Sequence, residues 1–147
     1  MTHKAFLRTS AFTWGAPMTA VGLLAALLLR GIAPLAHLLL GIEIAHTRYR
    51  GRTCFLLGHR WGGLTLGNVI LCQHEPTEQL LDHEWGHTVQ NALFGPLMPL
   101  LVLASAARYH DRNRRAKRGE PLPPYDAWWF EAQATALGTQ HCLRKEE

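Results

Sequence analysis

The stretch "LDHEWGHTVQNAL" places His83 and His87 four residues apart, with Glu84 directly after the first histidine. On a helix, side chains at i and i+4 lie about 40° apart on one face. Two imidazoles so placed can bind one zinc ion from successive turns. Glu84 then points beside the metal rather than at it. There it can take a proton from water whose pKa the metal lowers, the role of a general base. The five letters alone are weak, since the chain holds nine histidines. The elements around them must supply the helix, a packing face and a third ligand.

The helix reading is consistent with the pattern. Leu81, Trp85, Val89 and Ala92 fall opposite the two histidines, and Glu84 and Gln90 border the histidine face. One side can pack while the other binds. Pro76 suits the first helical position, Gly95-Pro96 ends the helix, and Gly86 leaves room for a neighbouring chain. Upstream, "CFLLGHRWGGLTLGNVILC" is rich in glycine and β-formers and predicts two short strands turning around Arg60 to Gly63, the second being Leu64 to Cys72.

A third ligand is sought downstream. "RGEPLPPYD" is a proline-rich loop, and a helix is expected from about Ala127 to His141. Glu131 is the natural candidate on it. Ala134 and Gly138 share its face and permit a close helix approach, with Trp128 and Thr135 at the border. Asp126, His110 and His141 are rival ligands. An oxyanion-stabilising donor is also expected near such a metal, and Tyr125, Tyr109, His110 and His141 are open to that role. Gln90, one turn past His87, faces the site and fits either ligand holding or plain packing.

The rest of the chain points to a membrane surface. It has 147 residues, enough for one modest core, and a formal net charge of +4. Apolar blocks run from Met18 to Ala45 and from Ala92 to Ala107, each followed by a basic group. Arg48, Arg50, Arg52 and Arg60 follow the first, and the run from Arg108 to Arg118 follows the second. The first block is long enough to span a bilayer, but it carries Arg30, Pro34 and Glu43. That predicts either a hairpin turning at Arg30-Gly31 or one helix with a snorkelling arginine. A signal peptide starting from Lys4 and Arg8 ranks behind both, for want of a cleavage site. The second block holds Pro96 and Pro99 near its start and predicts a helix from about Leu100, buried or partly immersed. The flanking charges orient the remainder toward the cytoplasm. Cys54, Cys72 and Cys142 are odd in number and widely spaced, which argues against a disulfide framework and for a reducing compartment. Nucleic-acid binding through "RYHDRNRRAKR" is not expected, because a charge run beside an apolar helix is usually a solvated or lipid-facing flank.

These motifs together resemble a family. "WGGLTLGNVIL", "HEWGHTVQNALFGPL" and "WFEAQATALG" are similar, in order and spacing, to small bacterial membrane-associated proteins with a gluzincin-type HExxH motif, over about residues 58 to 138. The resemblance implies zinc held by His83, His87 and Glu131, with Glu84 as base, in a metallopeptidase-like protein. It implies no particular substrate. In one respect the chain departs from the pattern. The family's aspartate four residues after the ligand glutamate is Thr135 here. A threonine hydroxyl can accept the same hydrogen bond from a ligand histidine, without the negative charge.

The expected architecture is therefore α+β and mostly helical. Residues 1–47 form an N-terminal apolar membrane-associated segment. Residues 48–147 form a minimal zincin-like core of short β-hairpin, HExxH helix and downstream glutamate helix. The expected function is zinc-dependent hydrolysis of a peptide or protein substrate at a lipid bilayer, with no nucleic-acid partner. The competing expectations are a non-catalytic protein with zinc as a structural staple, closed by a fourth protein ligand, and a metal-free membrane-interface protein.

Overall fold

The structure, a computed structural model, describes residues 9 to 59 and 61 to 143. Lys4, Arg8 and Arg60, which entered the charge argument, lie outside the described residues. The fold is α+β and mostly helical. Helix α1 spans Ala16–Leu40. Four short strands follow: β1 Ile44–Tyr49, β2 Arg52–Leu57, β3 Gly63–Leu66 and β4 Val69–Cys72. Three helices complete the chain: α2 Glu78–Phe94, α3 Met98–Lys117 and α4 Trp129–Leu143.

The sheet is mixed, in the order β1-β2-β4-β3. It corrects the expected hairpin in two ways. First, β1 is an additional strand, paired antiparallel with β2 through a two-residue turn, and it runs across residues 47 and 48. Arg50 and Gly51 at that turn both have positive φ (45° and 80°), the backbone a tight hairpin requires. Second, Leu64 to Cys72 is not one strand. It breaks at Gly67-Asn68, and β3 folds back antiparallel on β4. Gly67 has φ 62°, and a Cβ there would sit 2.5 Å from the backbone of Thr19, so only glycine makes this turn against α1. As a result β4 lies parallel to β2, in the sheet interior, and β3 is an edge strand.

Helix α1 is continuous, so the alternative hairpin at Arg30-Gly31 does not form. Arg30 instead lies over the Phe55 ring, 6.0 Å from its centroid. Met18, Thr19, Gly22 and Ala26 form its buried face. Gly22 meets the carbonyl of Leu66 so closely that a Cβ would stand 2.0 Å from it. Leu29 packs beside Ala26, Phe55 and Val69, whereas the other leucines of the helix are exposed, Leu38 at 78%. Two helical stretches, Ala16–Leu40 and Glu78–Lys117, are long and apolar enough by length and composition to cross a membrane, a test that core helices and signal sequences also pass. The second is interrupted by the 3-10 turn Gly95–Leu97, and Glu84, Trp85, Val89 and Ala92 within it are buried in the fold.

Helix α2 begins two residues later than Pro76 suggests, at Glu78. Thr77 is the cap, its Oγ1 accepting the Leu80 N–H at 3.2 Å. Trp85, Val89 and Ala92 pack on Cys54, Ile70 and Cys72 of the sheet. The opposite face of α2 meets α4. Gly86 and Gly138 are the contact points: a Cβ would lie 2.0 Å from the Ala134 carbonyl at the first and 2.2 Å from the Asp82 carbonyl at the second. Small residues thus let two backbones touch.

This packing yields a paired prediction. Gly86→Ala should destabilise the fold by about 1–3 kcal/mol, the usual cost of overpacking. Gly31→Ala, where a Cβ meets nothing within 4 Å inside α1, should raise stability by about 0.5–1 kcal/mol. Thermal unfolding of the two variants in matched detergent checks both signs.

Candidate metal centre

Close contact of α2 with α4 brings His83, His87 and Glu131 together. Glu131 Oε2 lies 3.1 Å from His83 Nε2 and 3.3 Å from His87 Nε2, and the two Nε2 atoms are 3.2 Å apart. Glu131 is buried and the imidazoles nearly so. Such a group could hold a metal ion. The spacing fits one: a tetrahedral zinc with bonds of about 2.0–2.1 Å keeps its ligand atoms about 3.3 Å apart.

Hydrogen bonds on the far side of each ring decide the tautomers. Gln90 donates from its amide nitrogen to the Phe130 carbonyl at 2.7 Å and to Gln133 Oε1 at 2.9 Å. Its oxygen must therefore face His87, and it accepts from Nδ1–H at 2.7 Å. Thr135 donates its single hydroxyl proton to the Glu131 carbonyl at 3.2 Å. It must then accept from His83 Nδ1–H, at 2.9 Å. Both neutral rings carry their proton on Nδ1, so both Nε2 lone pairs point inward at a carboxylate oxygen. Three acceptors meet with no donor among them, unless a proton or a cation sits between. Thr135 thus does what an aspartate does for a ligand histidine, through a neutral oxygen.

The electrostatics follow from this convergence. Burial opposes ionisation of Glu131, but its contacts with His83, His87 and Ser105 outweigh it and hold the carboxyl well below the usual range. Burial also opposes a charge on His87. Glu131 and Glu84 overcome it, and the net shift is upward. Ser105 on α3 donates to Glu131 Oε1, fixing the other carboxylate oxygen.

Glu84 stands apart from the ligand group. Its carboxylate is buried, accepts from Thr65 Oγ1 at 2.6 Å, and lies over Gly63 of β3, where a Cβ would come within 2.4 Å of Oε1. Glu84, His83 and His87 share the wall of a cavity of about 480 Å3. Tyr125 and Tyr109 line it too, whereas His110 does not. The Tyr125 ring meets His83 edge-on with centroids 6.0 Å apart. Burial, with Glu131 and Glu84 nearby, pushes its phenol up, so it remains a hydrogen-bond donor at neutral pH. The side chains of Asp126 and His141 lie outside the described residues.

Several supporting residues escape sequence reasoning. Thr65 and Ser105 carry no local signal, since each reaches its carboxylate from a distant segment. Arg50 is another. It pairs with Asp82 at 2.6 Å and donates to the Gly138 carbonyl at 3.1 Å, so one guanidinium ties the residue before His83 to the helix of Glu131. Tyr49 donates its hydroxyl to the same Asp82.

No known family, curated protein or solved structure matches the chain.

Purified protein should carry one metal ion per chain, and Glu131→Ala should lose it; elemental analysis reads both. Thr135→Val and Gln90→Leu should weaken the metal affinity by about 10–100-fold each. Protons compete for the Nε2 atoms, and the His87 value is shifted upward. Affinity measured by competitive chelation should therefore begin to fall above pH ~6.5, the ordinary histidine value, and continue to fall as the pH is lowered.

Proposed function

We propose that this chain is a membrane-associated zinc metallopeptidase with a minimal zincin-like core. The observation that carries the reading is a three-ligand group, His83, His87 and Glu131, on the wall of an open cavity, with the Glu84 carboxylate beside it. Two imidazoles and one carboxylate are a donor set that zinc favours. A metal that serves only as a staple is closed by four protein ligands. Among the described residues three converge, and the cavity adjoins them.

A bound zinc supplies a Lewis acid, which makes water acidic and polarises a carbonyl. The remaining work belongs to the chain. Glu84 takes the proton from the attacking water and returns it to the leaving amine. Thr65 holds one of its oxygens, and Gly63 leaves the space its carboxylate needs. Tyr125, protonated and lining the cavity, donates to the developing oxyanion. Gln90 and Thr135 keep both ligand rings in the metal-binding tautomer. The outer edge of β3 adjoins the same cavity and suits an extended peptide, which would pair with it as an added strand. Only Gly63–Leu66 offers this edge, since β4 is interior.

The exposed leucines of α1 support membrane association, because a face this apolar is stable against lipid rather than water. Arg48, Arg50 and Arg52 follow that helix directly and favour a core on the cytoplasmic side.

Glu84→Gln is the decisive variant. It should keep a full complement of zinc and lose peptide hydrolysis by about 10²–10⁴-fold, the usual contribution of a positioned base. Zinc-loaded Glu84→Gln protein that hydrolyses peptides at the wild-type rate would end this reading.

A further inference from the structure

Beside the metal cavity lies a second, smaller pocket of about 150 Å3. Helix α3 forms one wall with Arg108, Arg112 and Arg115, and the proline loop with Trp128 forms the other. Ser105, Tyr109 and Tyr125 line both pockets, so the two adjoin. We infer that this arginine-lined pocket is an anion subsite that receives a carboxylate of the peptide substrate close to the scissile bond. The inference rests on the peptidase reading of the neighbouring site.

Charge balance supports it. Asp111 is engaged by Arg115 at 2.9 Å. Glu131 is engaged by the two histidines and Ser105. Among the described residues no carboxylate pairs with Arg108 or Arg112, which leaves the pocket with a surplus of positive charge. The two guanidiniums are also held in place. Arg112 donates to the Pro123 carbonyl. Arg108 lies over Trp128, 5.3 Å from the ring centroid. A cation–π contact holds a guanidinium through its charge, and its N–H groups can still pair with a carboxylate. A pocket of this size admits a carboxylate with a short stem, and it lies within one residue's reach of the metal group through Ser105 and Glu131. The pocket shares Ser105, Tyr109 and Tyr125 with the cavity that would hold the scissile peptide, so a peptide carboxylate is the better occupant. It would come either from an acidic side chain or from the C-terminus.

Zinc-loaded Glu84→Gln protein, which is expected to hold peptide without cutting it, provides the test. It is titrated with fluorescein-labelled octapeptides in matched pairs: free acid against C-terminal amide, and glutamate against glutamine walked through each position. Wild-type protein is assayed for cleavage of the same peptides. One pair should favour the charged member by about 10–100-fold, the worth of a charge-assisted hydrogen bond. The free-acid pair would assign the C-terminus and a glutamate pair the side chain. Adding Arg108→Gln, with zinc content unchanged, should bring that ratio close to one, while Arg108→Lys retains part of it. Equal affinity within every pair, or a ratio that survives Arg108→Gln, overturns the inference, as does absence of any peptide binding. So does an Arg108→Gln effect confined to binding of phosphatidylglycerol vesicles. Charge-selective binding without wild-type cleavage defeats the peptidase reading and leaves the subsite standing. Cleavage without charge selectivity does the reverse.

Discussion

Three electron-pair donors face one another at the centre of this fold. Two imidazole Nε2 atoms and a carboxylate oxygen stand 3.1, 3.2 and 3.3 Å apart. Left without a proton or a cation, that arrangement repels itself in a medium that screens poorly. Folding must enforce it from outside. Gln90 and Thr135 do so by claiming the only proton on each ring. Arg50 does so by joining the start of the motif to the far helix. The glycines do so by removing every atom that would hold the helices apart. A frame that aims three acceptors at one point has its simplest explanation in the cation they would share.

The sheet and the first helix serve the same end. β4 and β2 provide an apolar floor for Trp85 and Val89, which turns the histidine face of α2 away from the core. β3 reaches back over Glu84 and supplies both the threonine that holds it and the glycine that makes room for it. Helix α1 locks the β3–β4 turn through Gly22 and Gly67, then continues into a face of exposed leucines. Glu84 is thus positioned by a strand that is itself positioned by the apolar helix. Glu84 shares α2 with His83 and His87, but it is braced from the sheet side by Thr65, whereas the histidines are braced by Gln90 and Thr135.

Much of this was legible in the chain itself. The i, i+4 histidines, the apolar back of their helix, and the small residues spaced around Glu131 all follow helical geometry, which a linear sequence displays directly. The sheet was harder to read. β1 is largely exposed along its length, so it shows no inside-outside alternation, and Arg50-Gly51 is an uncommon hairpin pair. Leu64 to Cys72 looked like one strand because the turn at Gly67-Asn68 is only two residues long. Within the continuous α1, Arg30 lies over Phe55, a partner from a different segment. Thr65, Ser105 and Arg50 reach Glu84, Glu131 and Asp82 through contacts of this long-range kind. Thr135 lay between: its place was visible, but only the backbone carbonyl that takes its proton settles that it accepts from His83.

X-ray absorption at the zinc edge, on protein reconstituted with one equivalent of zinc, tests the central claim most directly. The account predicts two imidazole nitrogens and carboxylate or water oxygens, all at about 2.0–2.1 Å, with no sulfur. A shell that contains sulfur, or lacks the multiple-scattering signature of imidazole, would contradict it.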